Sequence, residues 1–179
     1  MWMFCQKKNR NSDKDPITLQ GAGSRAVPHL SPVKQNVHEQ CLLIVHERIR
    51  EIEASIADAR LSSQSDTKSS AGDKHETGRA MAQLEIEKQQ TSLGNLIGML
   101  AILQRMDPER AHDRVGEGAL VRTDRGLYYI AVGLGRLAVN GQDVAVISPQ
   151  APLAALLKST TIGNTATFNG VDHTLIEIS

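Results

Sequence analysis

Two stretches of the chain carry apolar residues at alternating spacings of three and four positions. This spacing places the side chains on one stripe of an α-helix, the seam of a coiled coil. The seam residues are Leu42, Val45, Ile49, Ile52, Ile56 and Ala59 in the first stretch, and Ile86, Gln89, Leu93, Leu96, Leu100 and Leu103 in the second. Each stretch is therefore predicted to form a long helix that buries this stripe against a partner.

The two seams mirror each other along the sequence, and this determines how the helices would pair. When Leu42 is placed opposite Leu103, every further seam residue also lies opposite another. The mirror point falls between Gly72 and Asp73, beside a polar segment that is rich in small residues. The sequence therefore predicts an antiparallel helical hairpin whose turn lies close to these two residues.

After Met106 the sequence changes to short apolar runs separated by turn dipeptides. Asn140-Gly141 and Asn169-Gly170 each predict a two-residue hairpin, because a type I′ turn needs positive φ at both central positions. Ser148-Pro149 is predicted to begin the one helix of this region. The predicted strands are 119–122, 127–132, 137–139, 144–147, 166–168 and 174–178. A region of about 65 residues is only marginally stable alone, so we expect this small antiparallel sheet to pack against the base of the hairpin.

The fold class is therefore α+β, and the chain divides into three parts. Residues 1–33 show neither apolar period and are predicted to be a disordered tail. The hairpin follows at 34–110, with its tip near 66–79, and the C-terminal domain occupies 113–179.

The net charge and the N-terminal residues indicate the compartment of the protein and the kind of partner that it binds. Twenty Lys and Arg residues balance twenty Asp and Glu residues, so no basic surplus points to strong, direct binding of nucleic acid. The apolar start from Met1 to Cys5 is too short for a signal-peptide core or a membrane span. We expect a cytoplasmic monomer that contacts no membrane and meets nucleic acid only through a partner.

The predicted tip carries two carboxylates, Asp73 and Glu76, three residues apart. On a helix this spacing puts both on one face, where they can hold a hard divalent cation such as Mg²⁺. Asp-x-x-Glu is also a capping box, with Asp73 as the N-cap and Glu76 at the third helical position, and spacing alone favours this alternative. Four further residues of the tip can contact phosphate groups or form a solvated surface of mixed charge: Lys68, Lys74, His75 and Arg79.

These features resemble the GreA/GreB family of transcript-cleavage factors, which have an N-terminal coiled-coil hairpin and a C-terminal FKBP-like domain. The family's tip motif, Gly-Asp-x-x-Glu, is matched by Gly72-Asp73-Lys74-His75-Glu76. The helix of its C-terminal domain, led by Ser-Pro, is matched from Ser148-Pro149 onward. The resemblance covers residues 36–178.

The resemblance implies a function in transcription elongation. In the family, the acidic tip enters the secondary channel of bacterial RNA polymerase and helps to bind a catalytic Mg²⁺ there, and the polymerase then hydrolyses backtracked RNA. Asp73 and Glu76 would supply these ligands, and Ser148 and Pro149 would belong to the domain that docks on the polymerase. The basic and histidine side chains of the tip would contact RNA or polymerase, and DNA would be reached only through the elongation complex. Such a factor is not itself an enzyme and has no cofactor of its own.

The tip also departs from the family pattern. The family usually has Asn after the Glu and an aromatic residue shortly afterwards, where this chain has Thr77 and Ala80. A Gre-like regulator that occupies the channel without stimulating cleavage, and a non-catalytic coiled-coil adaptor, therefore remain alternatives. Prolyl isomerase activity and a nucleophilic Cys41 are weaker ones, because aromatic residues make up only 3% of the chain and Cys41 is expected to be packed.

Overall fold

The computed structural model describes residues 30–65 and 72–179, and these residues form an α+β structure. Two long helices, α1 (Leu30–Ser65) and α2 (Gly72–Arg105), come first. They are followed by six strands and one short helix, which are β1 (Leu120–Thr123), β2 (Gly126–Ile130), β3 (Gly135–Val139), β4 (Gln142–Ile147), α3 (Pro152–Lys158), β5 (Thr165–Phe168) and β6 (Val171–Ile178). Within the described ranges, no helix combines the length and the apolar character needed to cross a membrane.

The apolar stripes of α1 and α2 form the face by which the two helices contact each other. All the seam residues are buried or half-buried, whereas Leu43 and Ile97, beside the seam, expose 60% and 51% of their surface. Gln89 Nε2 donates a hydrogen bond to Ser55 Oγ across the pair at 3.0 Å. Nearer the sheet, the side chain of Gln35 donates to Glu109 just beyond α2 at 3.3 Å. Residue numbers rise along α1 from Gln35 to Ser55, while their partners fall from Glu109 to Gln89, so the two helices run antiparallel.

Helix α1 begins earlier than the sequence predicts. Residues 30–33, which the sequence assigns to a disordered tail, are helical, and Leu30 and Val33 are buried in the core. Pro32 lies in the first turn of α1, where a helix needs no partner for its N–H groups. The rest of the predicted tail, residues 1–29, lies outside the described residues.

The six predicted strands form one sheet in the order β3-β4-β2-β1-β6-β5. Both Asn-Gly turns are confirmed, with φ values of 53° and 73° at Asn140 and Gly141, and 50° and 76° at Asn169 and Gly170. The predicted all-antiparallel sheet is wrong in one pair, because β2 and β4 are parallel.

The burial of β3 and β4 explains this parallel pair. Val144 and Val146 of β4 are almost fully buried, whereas most of β3, including Arg136, is exposed. Strand β3 therefore takes the sheet edge, where exposed side chains are tolerated. Strand β4 turns back between β3 and β2 and so runs in the same direction as β2.

The sheet packs against a helix on each face. On one face, a cluster that includes Leu120, Tyr129 and Val144 packs with the first half of α1, from Leu30 to Val45. On the other face, residues of β1, β2 and β6 pack with α3: Val121, Ile130, Leu175, Ala154 and Leu157. The expected packing of the sheet against the base of the helix pair is therefore present.

Helix α3 begins at Pro152, three residues after the position that the sequence predicts. Pro152 occupies the first turn, where its fixed φ is favourable. Ser148 and Pro149 lie instead in the turn that precedes the helix. This turn is closed by the N–H of Ala151, which donates to the carbonyl of Ser148 at 2.9 Å, and by the N–H of Gln150, which donates to Ser148 Oγ at 3.1 Å.

Two glycine substitutions should have opposite effects on stability. We expect Gly141→Ala to lower the free energy of unfolding by about 1–2 kcal/mol, because its φ of 73° is in the left-handed region that L residues avoid. Gly98→Ala should raise it by up to about 1 kcal/mol, since alanine is favoured inside a helix. An added Cβ meets nothing within 4 Å at either position, so packing does not obscure the comparison. Urea unfolding of the two variants tests this, and changes of the same sign would contradict it.

Candidate functional site

The predicted acidic pair lies at the end of the helix pair that is remote from the sheet. Asp73 and Glu76 belong to the first two turns of α2. At a rise of 1.5 Å per residue, the backbone of Glu76 is about 40 Å along the helix from Leu103, where α2 enters the core. Both carboxylate-bearing residues are therefore held far from the sheet by a single continuous helix.

Asp73 and Glu76 lie in the first two turns of α2, and the structure describes neither side chain, so the capping box and the ligand pair both stay predictions. Residues three apart in a helix lie on one face, and acidic residues near a helix N-terminus interact favourably with its dipole. The backbone thus places the two acidic residues on a common face of the first turns of α2.

The other predicted tip residues are located as follows. Lys74 and His75 lie on the backbone of α2 between the two acidic residues, and Arg79, one turn further on, is exposed. Lys68 lies outside the described residues, as do the side chains of residues 72–77.

A cleft of about 290 Å³ lies at the base of the helix pair and contains the other predicted site residues. Ser148 and Pro149, both half-buried, line it together with Val132 from the segment after β2. The opposite wall comes from α2 and contains Met99, Ile102 and Arg105. The structure thus brings Ser148 and Pro149 to the end of α2 that is opposite the acidic pair.

The structure also contains a buried polar cluster that the sequence analysis did not identify. Lys34 of α1 exposes only 1% of its surface, and its Nζ donates a hydrogen bond to the carbonyl of Arg110 at 2.6 Å. His38, one turn further along α1, is 5% exposed, and its Nδ1 is hydrogen-bonded to the hydroxyl of Tyr129 at 2.9 Å. The Tyr129 hydroxyl also donates a hydrogen bond to Met106 Sδ at 3.9 Å. We call this cluster, with His112, the polar joint.

Burial perturbs the titratable groups of the polar joint. Loss of hydration is the main cause of the lowered pKa of Lys34 and of His38, because it disfavours the charged form of each. The pKa of His112 is also lowered, first by burial and then by the positive charges of Lys34 and Arg110. Burial raises the pKa of Tyr129. Burial in the polar joint therefore makes the charged form of each of these groups less favourable than it is in water.

Cys41, beside the polar joint, has the properties of a structural thiol. It is fully buried, and burial raises the pKa of its thiol to about 12. A thiol with such a pKa is protonated at neutral pH, and the thiolate is the nucleophilic form. This argues against the alternative in which Cys41 is a catalytic nucleophile.

A signal for the polar joint is present in the sequence. Val33, Val37 and Cys41 recur every four residues, which indicates a buried helical stripe. Lys34 and His38 each follow one of these positions, so they lie next to that stripe. The apolar periodicity can therefore be extended to the start of α1, but only the fold shows that the sheet covers these two polar residues.

Among the side chains that the structure describes, which do not include those of residues 63–77, no group of three or more His, Cys, Asp or Glu is arranged to hold a metal ion. In comparisons with known proteins, no family model matches the chain, and no curated protein or solved structure matches it either.

Proposed function

We propose that this chain is a Gre-type factor that binds bacterial RNA polymerase and stimulates cleavage of backtracked RNA. The observation that carries the proposal is the position of Asp73 and Glu76 at the remote end of two antiparallel helices, about 40 Å from the sheet domain. In this proposal α1 and α2 form a coiled-coil hairpin that enters the secondary channel, and the sheet domain, FKBP-like in fold, docks outside it.

The separation of the two ends supports a function inside a partner. Carboxylates at the end of an isolated helix pair are surrounded by water, and electrostatic catalysis needs a preorganised site from which water is excluded. The described residues supply the rigidity that insertion needs, because the buried seam extends from Val45 and Leu103 at the base to Ile56 and Ile86 in the outer half. The channel of the polymerase would supply the enclosed site.

Asp73 and Glu76 would bind a Mg²⁺ ion that they share with the polymerase. Carboxylate oxygens are the ligands that Mg²⁺ prefers, and the ion is usually held by one or two carboxylates together with substrate phosphates. Two acidic residues on one helical face, at a helix terminus, fit such a shared site. Asp73 and Glu76 would hold the ion, and its chemistry when bound would be Lewis-acid activation of the phosphodiester and of water.

The cleft beside Ser148 and Pro149 would belong to the docking surface. Its apolar wall, Met99 and Ile102, lies on α2, and its other wall lies on the sheet domain. A partner that binds there contacts both parts of the protein and so controls the direction of the helix pair. Lys74, His75 and Arg79 at the other end would contact phosphates or the channel wall, together with Lys68.

The tip sequence favours a related function, that of a channel-binding regulator that does not stimulate cleavage. Thr77 and Ala80 occupy positions where the resembling family usually has Asn and an aromatic residue. A regulator that occupies the channel without stimulating cleavage would need the shape of the helix pair but not these side chains. The binding experiment below does not separate this function from the first one, whereas the cleavage experiment in the Discussion does.

The full-length chain is expected to co-purify with core bacterial RNA polymerase and to be displaced by another secondary-channel factor at micromolar concentration. The double variant Asp73→Asn/Glu76→Gln should bind similarly, because the proposed docking surface lies at the opposite end of α2. Absence of binding at micromolar concentration would reject the proposal. Binding without competition would instead support a coiled-coil adaptor that attaches elsewhere on the polymerase.

A further inference from the structure

The polar joint connects three parts of the protein that are distant in sequence. Lys34 and His38 come from the first half of α1, and Tyr129 comes from β2 on the face of the sheet that α1 covers. Met106 and Arg110 come from the segment that leads from α2 to the sheet. The hydrogen bonds of the joint therefore link α1 to the sheet and to the segment after α2, beside the apolar cluster that packs α1 on the sheet.

Charged and titratable groups approach the joint from each of these parts. Helix α1 provides Lys34, Glu39 and Cys41, the segment after α2 provides Asp107, Arg110, His112 and Asp113, and β2 provides Tyr129. Lys34 is the nearest cation in sequence to His38, and it is buried with it. Glu39 is the acidic neighbour that favours protonated His38, and its side chain is exposed to solvent, which screens the attraction.

Protonation of His38 would disturb the charge balance of the joint. A second buried cation would then lie near Lys34, and a buried charge without a close counter-ion is costly. The Tyr129 hydroxyl donates to Met106 Sδ at 3.9 Å, so it can accept from His38 Nδ1 in the neutral and in the protonated imidazole alike. Neutral His38 avoids the cost of a second buried charge.

We propose that the polar joint is a pH-sensitive latch, in which neutral His38 holds the first turns of α1 on the sheet and protonated His38 releases them. Release would expose Val37 and Cys41 and free the helix pair to change its angle to the sheet domain. This inference rests on the geometry of the joint and does not depend on the proposed function in transcription.

The pH range follows from the sign of the shift. In the released state His38 is hydrated and titrates near 6.5, whereas in the closed state its pKa is lower. The released state therefore binds more protons below pH 6.5, and closure weakens as the pH falls through that value. His112 is shifted in the same direction and adds to the effect. Well above pH 6.5 His38 is neutral in both states, so its contribution to closure is fully present there.

Hydrogen exchange of the full-length protein tests the latch. Amides of residues 33–41 should exchange faster at pH 5.5 than at pH 7.5 after correction for intrinsic rates, by up to about tenfold per histidine for each pH unit below 6.5. Amides of residues 48–56, further along α1, should show no such acceleration. Equal corrected protection of residues 33–41 at both pH values would overturn the proposal.

Two matched variants assign the effect to a residue. His38→Gln keeps a side chain that can bond to Tyr129 but cannot titrate, so the acceleration should be lost or reduced to the contribution of His112. His46→Gln removes an exposed histidine of the same helix and should behave like the wild type. If His38→Gln keeps the full pH dependence, His38 is not the trigger. If His38→Gln does not fold, an NMR titration of the His38 imidazole in the wild type replaces it. Protonation of His38 must then rise over the same pH range as the exchange rate of residues 33–41.

Discussion

Asp73→Asn and Glu76→Gln are each expected to abolish the stimulated cleavage of backtracked RNA while the protein stays folded. Each substitution removes a hard anionic ligand but keeps the size of the side chain, so binding of Mg²⁺ should be lost. Asn caps a helix about as well as Asp, and Gln can take the place of Glu in a capping box. The free energy of unfolding should therefore stay within about 1 kcal/mol of the wild-type value.

The measurement is RNA cleavage in stalled, backtracked elongation complexes, with thermal unfolding of each variant measured in parallel. Glu53→Gln is the matched control, since it neutralises an exposed carboxylate of α1 that lies away from the tip, and it should cleave like the wild type. Equal cleavage by all four proteins would reject the ligand role of Asp73 and Glu76. If the wild type binds the polymerase but does not stimulate cleavage, the chain is a channel regulator of the non-cleaving kind.

Leu103→Ala is expected to cause a large loss of stability, about 2–5 kcal/mol, because it leaves a cavity in a close-packed core. Leu103 exposes none of its surface and belongs to the cluster that joins α1, α2 and the sheet. Leu84→Ala is the matched control, since Leu84 lies on the same helix but is 62% exposed. Both changes replace Leu by Ala within α2, so helix propensity contributes equally, and Leu84→Ala should change stability by less than about 0.5 kcal/mol.

Urea unfolding followed by a helical signal and by the backbone NMR resonances of β1 and β2 distinguishes the possible outcomes. A loss that appears in both signals with the same midpoint means that the helix pair and the sheet unfold together. If the midpoint falls only in the helical signal, the helix pair and the sheet do not unfold together, and the shared cluster around Leu103 does not couple them. A similar loss in both variants would contradict the burial of Leu103.

The acidic pair at the tip was predicted from a local sequence pattern, whereas the polar joint was not predicted. The Asp-x-x-Glu spacing identified Asp73 and Glu76, and α2 carries both on its first turns. Lys34 and His38 lie beside an apolar stripe, but a lysine or histidine in that position is usually solvated, so the stripe does not indicate that these two are buried. These two residues are buried because β2 and the segment after α2 lie over them.

The sequence by itself determined the parts of this protein that depend on local periodicity and turn chemistry. The alternating spacing from Leu42 to Leu103 defined the contact face of α1 and α2, and the Asn140-Gly141 and Asn169-Gly170 pairs defined two hairpins, since few residues tolerate their positive φ values. Tertiary packing decided what these patterns leave open. Strand β4 lies beside β2 because Val144 and Val146 are best buried in the middle of the sheet. Helix α1 extends back to Leu30 because the sheet provides an apolar surface that covers it, and such contacts between distant segments have no period that a sequence can display.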